Sequence, residues 1–271
     1  MPTERFLLGQ SEILVGADIE ETVRIAAGQF AAMARKIAAE GKAFSVALSG
    51  GSTPRRLFQV LAAEPFAGLI PWSSIRFFWG DERNVPPGHP ESNYSMARDL
   101  LLSRVPVLQA NIHRIPTGDG TAVEAADLYE RTLRENLPLA HGLPRFDYIL
   151  LGLGTNGHTA SLFPNRPTLH ERQRLVVADH IEEVSGWRVT LTPPVLNNAT
   201  QTAFLVTGED KAAVVRQIIE GAHDFEAAPA QLIAPVDGNM TWILDSDAAA
   251  SLSRTVADGQ TLMRSEPVKP G

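Results

Sequence analysis

Three polar clusters break the apolar runs of this 271-residue chain, and each holds residue types that chemistry needs. The most informative is Gly152-Leu153-Gly154-Thr155-Asn156-Gly157-His158-Thr159-Ala160-Ser161-Leu162-Phe163-Pro164. Its glycines let the chain turn sharply and let a ligand approach the backbone. His158 stands at the crest, and an imidazole that titrates near neutrality is a natural general base. The plainer reading is a histidine bonded to a neighbouring carbonyl. A second cluster, Ser49-Gly50-Gly51-Ser52-Thr53, precedes Pro54. Adjacent glycines let successive N–H groups converge, three hydroxyls add donors, and a following helix adds positive potential, which together make an anion cradle. Its plainer reading is a glycine turn with an ordinary cap. The third, Gly80-Asp81-Glu82-Arg83-Asn84, pairs two carboxylates with a guanidinium suited to bidentate phosphate contact. Its plainer reading is a solvated charged loop. Arg188 and Lys211 are further cations near expected strand ends, or simple surface charge.

Two nucleotide motifs are set aside. Gly152, Gly154 and Gly157 match G-x-G-x-x-G, with Asp179 about twenty residues on, as a dinucleotide fold asks. That motif needs a full helix opening at the third glycine. Pro164 follows too closely for one. The Ser49–Thr53 loop has no Gly-Lys-Ser/Thr after it, so it is not a triphosphate loop.

Composition narrows the partners. A net charge of −7 argues against nucleic acid, whose backbone selects basic faces. A small phosphorylated ligand needs only a local cluster of donors. With no cysteine there is no disulfide, thiolate nucleophile or zinc–thiolate site, which fits a cytoplasmic protein. The histidines lack ligand spacing, so no metal site is expected. No apolar stretch is long enough to cross a membrane, and the N-terminus does not read as a signal peptide. The sequence assigns no oligomeric state.

The elements that must position these clusters follow from periodicity. Asp18 to Glu40 reads as an amphipathic helix, with Asp18 and Glu21 as a capping box and Gly41 as its stop. Phe44–Leu48 is a buried strand, followed by a helix with Thr53 as cap, Pro54 at its first position, and Leu57, Phe58 and Leu61 facing inward. Ile75–Trp79 is a strand, Gly80 to Glu91 a polar loop, and Ser92 caps a helix through about Ser103. Ile112–Ile115 reads as a short strand, and Thr121 with Glu124 opens a helix that stops near Pro138. Phe146–Leu151, Val189–Leu191, Ala203–Val206 and Met240–Leu244 are strand-like, and Asp210 to Glu220 is a helix. Alternating strands and helices give an α/β fold, a predominantly parallel sheet with helices on both faces. The chain reads as one domain, with a loosely packed polar tail from about Ser251. Ligands of such sheets sit at the strands' C-terminal edge, where all three clusters fall.

Taken together, the segments resemble the 6-phosphogluconolactonase family along nearly the whole chain. The matching pieces are SGGSTP at Ser49–Pro54, GDERNVP at Gly80–Pro86 with Ser92-Asn93, GLGTNGHTASLFP at Gly152–Pro164, RVTLTPPVLNNA at Arg188–Ala199 and GEDKA at Gly208–Ala212. The resemblance implies a Rossmann-like fold related to the glucosamine-6-phosphate deaminases, with no metal and no cofactor. It implies hydrolysis of a sugar-phosphate lactone in the oxidative pentose phosphate pathway. His158 would activate water, and Asp81 would orient the imidazole or a substrate hydroxyl. Ser49, Gly50, Gly51, Ser52 and Thr53 would hold the phosphate, assisted by Arg83, Arg188 or Lys211, with Asn156 and Gly157 completing the substrate turn. One departure stands out: Asn156 occupies a position where the family commonly has Asp, and an amide carries no charge. Deaminases differ in having that Asp, a Glu where Phe163 stands, and Tyr where Arg83 stands. A catalytically silent sugar-phosphate sensor is the other alternative, against which His158 and the absence of a basic segment count.

Overall fold

In a computed structural model of the chain, residues 2–9, 11–184 and 186–253 are described. The expected loose tail lies outside them from residue 254 onward. The strands are β1 (Glu4–Leu8), β2 (Ser11–Gly16), β3 (Phe44–Leu48), β4 (Ile75–Trp79), β5 (Asp81–Arg83), β6 (Leu139–Ala140), β7 (Leu143–Pro144), β8 (Tyr148–Leu151), β9 (Val176–Ile181), β10 (Gly186–Leu191), β11 (Gln201–Val206) and β12 (Asn239–Asp245). The helices are α1 (Ile19–Ala39), α2 (Ser52–Leu61), α3 (Phe66–Leu69), α4 (Asn93–Ala97), α5 (Ala122–Asn136), α6 (Pro193–Leu196) and α7 (Ala212–Glu220). The main sheet has seven strands in the order β1-β2-β12-β11-β8-β3-β4, parallel except for the β1–β2 hairpin.

That order determines where helices go. From β2 to β3 to β4 the chain steps one way along the sheet; from β8 to β11 to β12 it steps back. Right-handed crossovers then set the helices of the outward path on one face and those of the return path on the other. The outward helix α1 accordingly packs on β2, β12 and α2. The direction reverses between the neighbours β3 and β8, and their C-terminal ends open a crevice. Both strands are buried along their whole length. Beneath them Phe30 meets Phe44 and Tyr148 edge-on, with ring centroids 5.3 and 6.0 Å apart.

Local structure differs from the sequence expectation at several points. Asp18 caps α1 through the N–H of Glu21, but the Glu21 carboxylate takes the N–H of Ala17, so the box is offset by one residue. Thr53 is not a cap. The α2 helix starts at Ser52, and the Thr53 hydroxyl pairs with that of Thr207 at 2.8 Å. The helix capped by Ser92 turns π-helical over Arg98–Leu102, and the segment before α7 is a 3₁₀ turn, Glu209–Lys211. Asp81–Arg83 is strand rather than loop: it pairs with β10, which pairs with β9, in a separate three-stranded antiparallel sheet against α5.

Ile112–Ile115 does not form a strand, for a physical reason. Its backbone meets the edge strand β4 through the Phe77–Ile112 bridge and one bond from the His113 N–H to the Phe77 carbonyl, while the His113 ring stacks on Phe78. At Trp79 a side chain takes the sheet neighbour's place: the Tyr129 hydroxyl accepts from the Trp79 N–H at 2.8 Å and donates to its carbonyl at 3.0 Å. Burial pushes the Tyr129 phenol above its ordinary pKa, so it stays protonated and can donate. This bond pair fixes the strand end two residues before Asp81. Tyr129→Phe keeps the ring and strands two buried backbone groups. It should lower the unfolding free energy in urea by about 1–3 kcal/mol. Wild-type stability would contradict this role.

Candidate active site

Four neighbouring strands, β11, β8, β3 and β4, run out on one edge, and each ends in an expected cluster. A cavity of about 360 Å³ opens there. Ser49, Gly50, Gly51, Ser52 and Thr53 line it from β3, Asp81 and Arg83 from beyond β4, His158 from beyond β8 and Lys211 from beyond β11. Asn156, Gly157 and Arg188 are not in the wall. Asn156 lies behind the imidazole, and Gly157 is buried with a φ of +79° beside Ala228. Arg188 is half-buried in β10, paired in register with Arg83.

The imidazole of His158 is held on three sides. Phe163 stacks on one face, centroids 4.2 Å apart and planes 11° from parallel. Gly154 lies against the ring at Nδ1 and Cε1, where a Cβ would overlap it, so this position admits only glycine. Nδ1 sits 2.6 Å from Asn156 Oδ1, and the backbone N–H of His158 reaches the same atom at 3.3 Å. A main-chain N–H can only donate, so the shared atom is the amide oxygen. Nδ1 must then carry a proton, and the lone pair is left on Nε2. Burial lowers the pKa of His158; the charges of Lys211, Arg188 and Arg83 push the same way, while Asp81 opposes them. These influences favour the neutral imidazole.

Strand pleating separates the adjacent carboxylates. Asp81 faces the cavity, accepting from Ser161 Oγ at 2.6 Å and Asn93 Nδ2 at 3.3 Å. It makes no hydrogen bond to the imidazole here and acts on it through its charge alone. Glu82 points away and is 1% exposed, accepting from the N–H groups of Arg83, Asn93 and Tyr94 and from Ser92 Oγ. Burial raises its pKa against the pull of those four donors. Glu82 is a brace for the start of α4, not an acid–base group.

The other end of the cavity suits an anion. No side chain caps α2, and its first residues Ser52, Thr53 and Pro54 line the cavity, which leaves the N–H groups of Ser52 and Thr53 available to an anion. Arg83 and Arg188 join no ion pair among the described residues, and Lys211 meets only Asp210, at 3.4 Å. Burial lowers the pKa of Arg188, and the neighbouring charge of Arg83 adds to this. Two like charges so placed would both gain from a shared anion. The turn before Lys211 is anchored by buried Asp245, which accepts the Gly208 N–H at 3.0 Å.

Sequence reasoning missed Asn93 and Ser161 as contacts of Asp81, Thr190 as a contact of Ser161, and Thr207. Asn93 also packs against Gly50, leaving no room for a Cβ there. Its place directly after the capping Ser92 was a usable signal; nothing local marked the others. The dinucleotide motif is absent in substance: no helix opens at Gly157, and Arg166 occupies the Asp179 carboxylate. Among the described residues no three His, Asp or Glu side chains gather as a metal site requires, and no helix is long and apolar enough to cross a membrane.

A doubly wound sheet with a neutral histidine and a cation cluster at its reversal point defines an α/β enzyme for a small anionic ligand. The chain belongs to the glucosamine-6-phosphate isomerase/6-phosphogluconolactonase family, whose model matches residues 17–242. It is 41% identical to the 6-phosphogluconolactonase of Nostoc sp. over 211 residues, 78% of this chain and 85% of the relative. With that of Haemophilus influenzae it shares 38% identity over 208 residues, 76% of this chain and 87% of the relative. The solved 6-phosphogluconolactonase of Trypanosoma brucei superposes with a TM-score of 0.81 at 31% identity, covering 91% of this chain and all (100%) of that one. A monomeric glucosamine-6-phosphate deaminase shares the fold, with a TM-score of 0.73 at 20% identity over 89% of this chain and 99% of that one.

The site makes one electrostatic prediction. In the ligand-free protein the His158 imidazole should titrate below the ordinary histidine value of about 6.5 by NMR. Asn156→Asp puts a carboxylate on Nδ1 and should raise that midpoint. A wild-type midpoint at or above the ordinary value would contradict the neutral imidazole, and an unmoved midpoint in the variant would contradict the Asn156 contact.

Proposed function

We propose that this enzyme hydrolyses 6-phospho-D-glucono-1,5-lactone to 6-phospho-D-gluconate, the second step of the oxidative pentose phosphate pathway. The observation that carries the reading is His158, with Nδ1 committed to Asn156 and its lone pair on Nε2, in a cavity that also holds an uncapped helix start, Arg83 and Lys211. The relatives named as 6-phosphogluconolactonases support it.

The phosphate of the substrate docks on the N–H groups at the start of α2, with Lys211 and Arg83 lining the cavity and Arg188 close behind. Its binding energy, remote from the reacting carbon, orients the lactone. A lactone is an activated ester, so positioning and a base suffice without a covalent nucleophile. Nε2 takes a proton from a water molecule as its oxygen bonds to the carbonyl carbon. The tetrahedral intermediate then breaks the ring C–O bond, and the imidazolium returns the proton to the departing ring oxygen. Asp81, free of the imidazole, faces a substrate hydroxyl. Phe163 favours this reading over a deaminase, because an apolar ring lies on His158 where those enzymes carry a carboxylate.

Lactone generated freshly from glucose 6-phosphate should disappear faster with this protein than spontaneously, with chelator present and no cofactor added. Ammonia should not be released from glucosamine 6-phosphate. His158→Ala should lose roughly a hundred- to ten-thousandfold in kcat while retaining 6-phosphogluconate binding. No acceleration by wild type contradicts the lactonase reading, and full activity in His158→Ala contradicts the base.

A further inference from the structure

Ser161 lies three residues beyond the base, is 1% exposed, and belongs to no expected cluster role. Its hydroxyl donates to Asp81 Oδ2 at 2.6 Å, a short bond to a charged acceptor. Its backbone N–H donates to Thr190 Oγ1 at 3.2 Å. Asp81 and Thr190 face each other in register across β5 and β10, the two strands that also carry Arg83 and Arg188. One residue therefore bolts the His158 turn to both strands of the cation-bearing sheet. The residue before it, Ala160, has a φ of +47°, which an L side chain keeps only where its surroundings hold it.

We propose that Ser161 is a positioning residue: its hydroxyl fixes Asp81 in the cavity, and its backbone fixes the His158 turn against the sheet of Arg83 and Arg188. Base, carboxylate and cations then keep one arrangement. The consequence is particular to a chain with Asn156. The amide beside Nδ1 is neutral, so the negative charge that acts on the imidazolium is Asp81, against the opposing Lys211, Arg188 and Arg83. Among the described residues no cation lies within ion-pair distance of Asp81, so its place depends on Ser161 and Asn93. The effect on turnover rests on the lactonase reading; the effect on the imidazole does not.

A double-mutant cycle of Ser161→Ala and Asp81→Asn, read on kcat and on the His158 titration, tests this. Ser161→Ala should lower kcat roughly tenfold or more, as expected for losing one hydrogen bond to a charged group. The KM should change by less than about threefold, since phosphate binding is elsewhere. The His158 midpoint should fall in Asp81→Asn, and in the same direction by less in Ser161→Ala. In the Asp81→Asn background Ser161→Ala should change neither quantity further. Ser161→Cys fills the same space but donates weakly, so it should resemble Ser161→Ala; it also carries the test if the alanine variant does not fold. Equal losses from Ser161→Ala in both backgrounds, or wild-type behaviour of Ser161→Cys, would overturn the proposal. A wild-type protein without lactonase activity would sink the functional reading alone, because the titration needs no turnover.

Discussion

Between β3 and β8 the chain reverses its direction of travel along the sheet, and the rest of the site follows from that reversal. Connections leave the two strand ends on opposite faces, so no backbone closes the gap between them. One end continues through Gly50 and Gly51 into a helix without a cap; the other folds back as the His158 turn. A helix start that would otherwise leave N–H groups unpaired thus faces an imidazole across a cavity. The flanking strands β4 and β11 add Asp81 with Arg83 and Lys211 to the same edge.

The His158 imidazole is set by contacts that carry little charge of their own. Burial under the Phe163 ring favours the neutral imidazole, and Asn156 offers Nδ1 an uncharged acceptor in place of a carboxylate. A carboxylate at residue 156 would draw the ring toward its protonated form. Here the charge that opposes desolvation comes from Asp81, which is not bonded to the ring. Bound dianion would strengthen that side of the balance by offsetting Arg83, Arg188 and Lys211.

Much of this was legible in the residues. Buried strands such as Phe44–Leu48 and capped helices such as α5, whose Thr121–Glu124 box is fully formed, announce themselves through local pattern. The glycine-flanked clusters could be assigned to one edge because an α/β sheet has only one ligand edge. What local pattern lacks is pairing at a distance. The short β1–β2 hairpin and the three-residue β5 are recognisable as strands only once their partners are known. Ile112–Ile115 has strand composition, but Tyr129 takes the Trp79 backbone groups that an added strand would need. The adjacent carboxylates Asp81 and Glu82 look equivalent in sequence, and only the pleat of β5 sends one to the cavity and the other under α4. Ser161 and Thr190 carry no local mark, since their significance is a bond to residues 80 and 29 positions away.

The most direct test of the account is the placement of product. A crystal structure with 6-phospho-D-gluconate bound should show the phosphate oxygens accepting from the N–H groups at residues 51–53, with Lys211 beside them. The C1 carboxylate should lie within hydrogen-bond reach of His158 Nε2. The reverse orientation, with the carboxylate on the helix start and the phosphate beside His158, would contradict both the anion cradle and the assignment of the base.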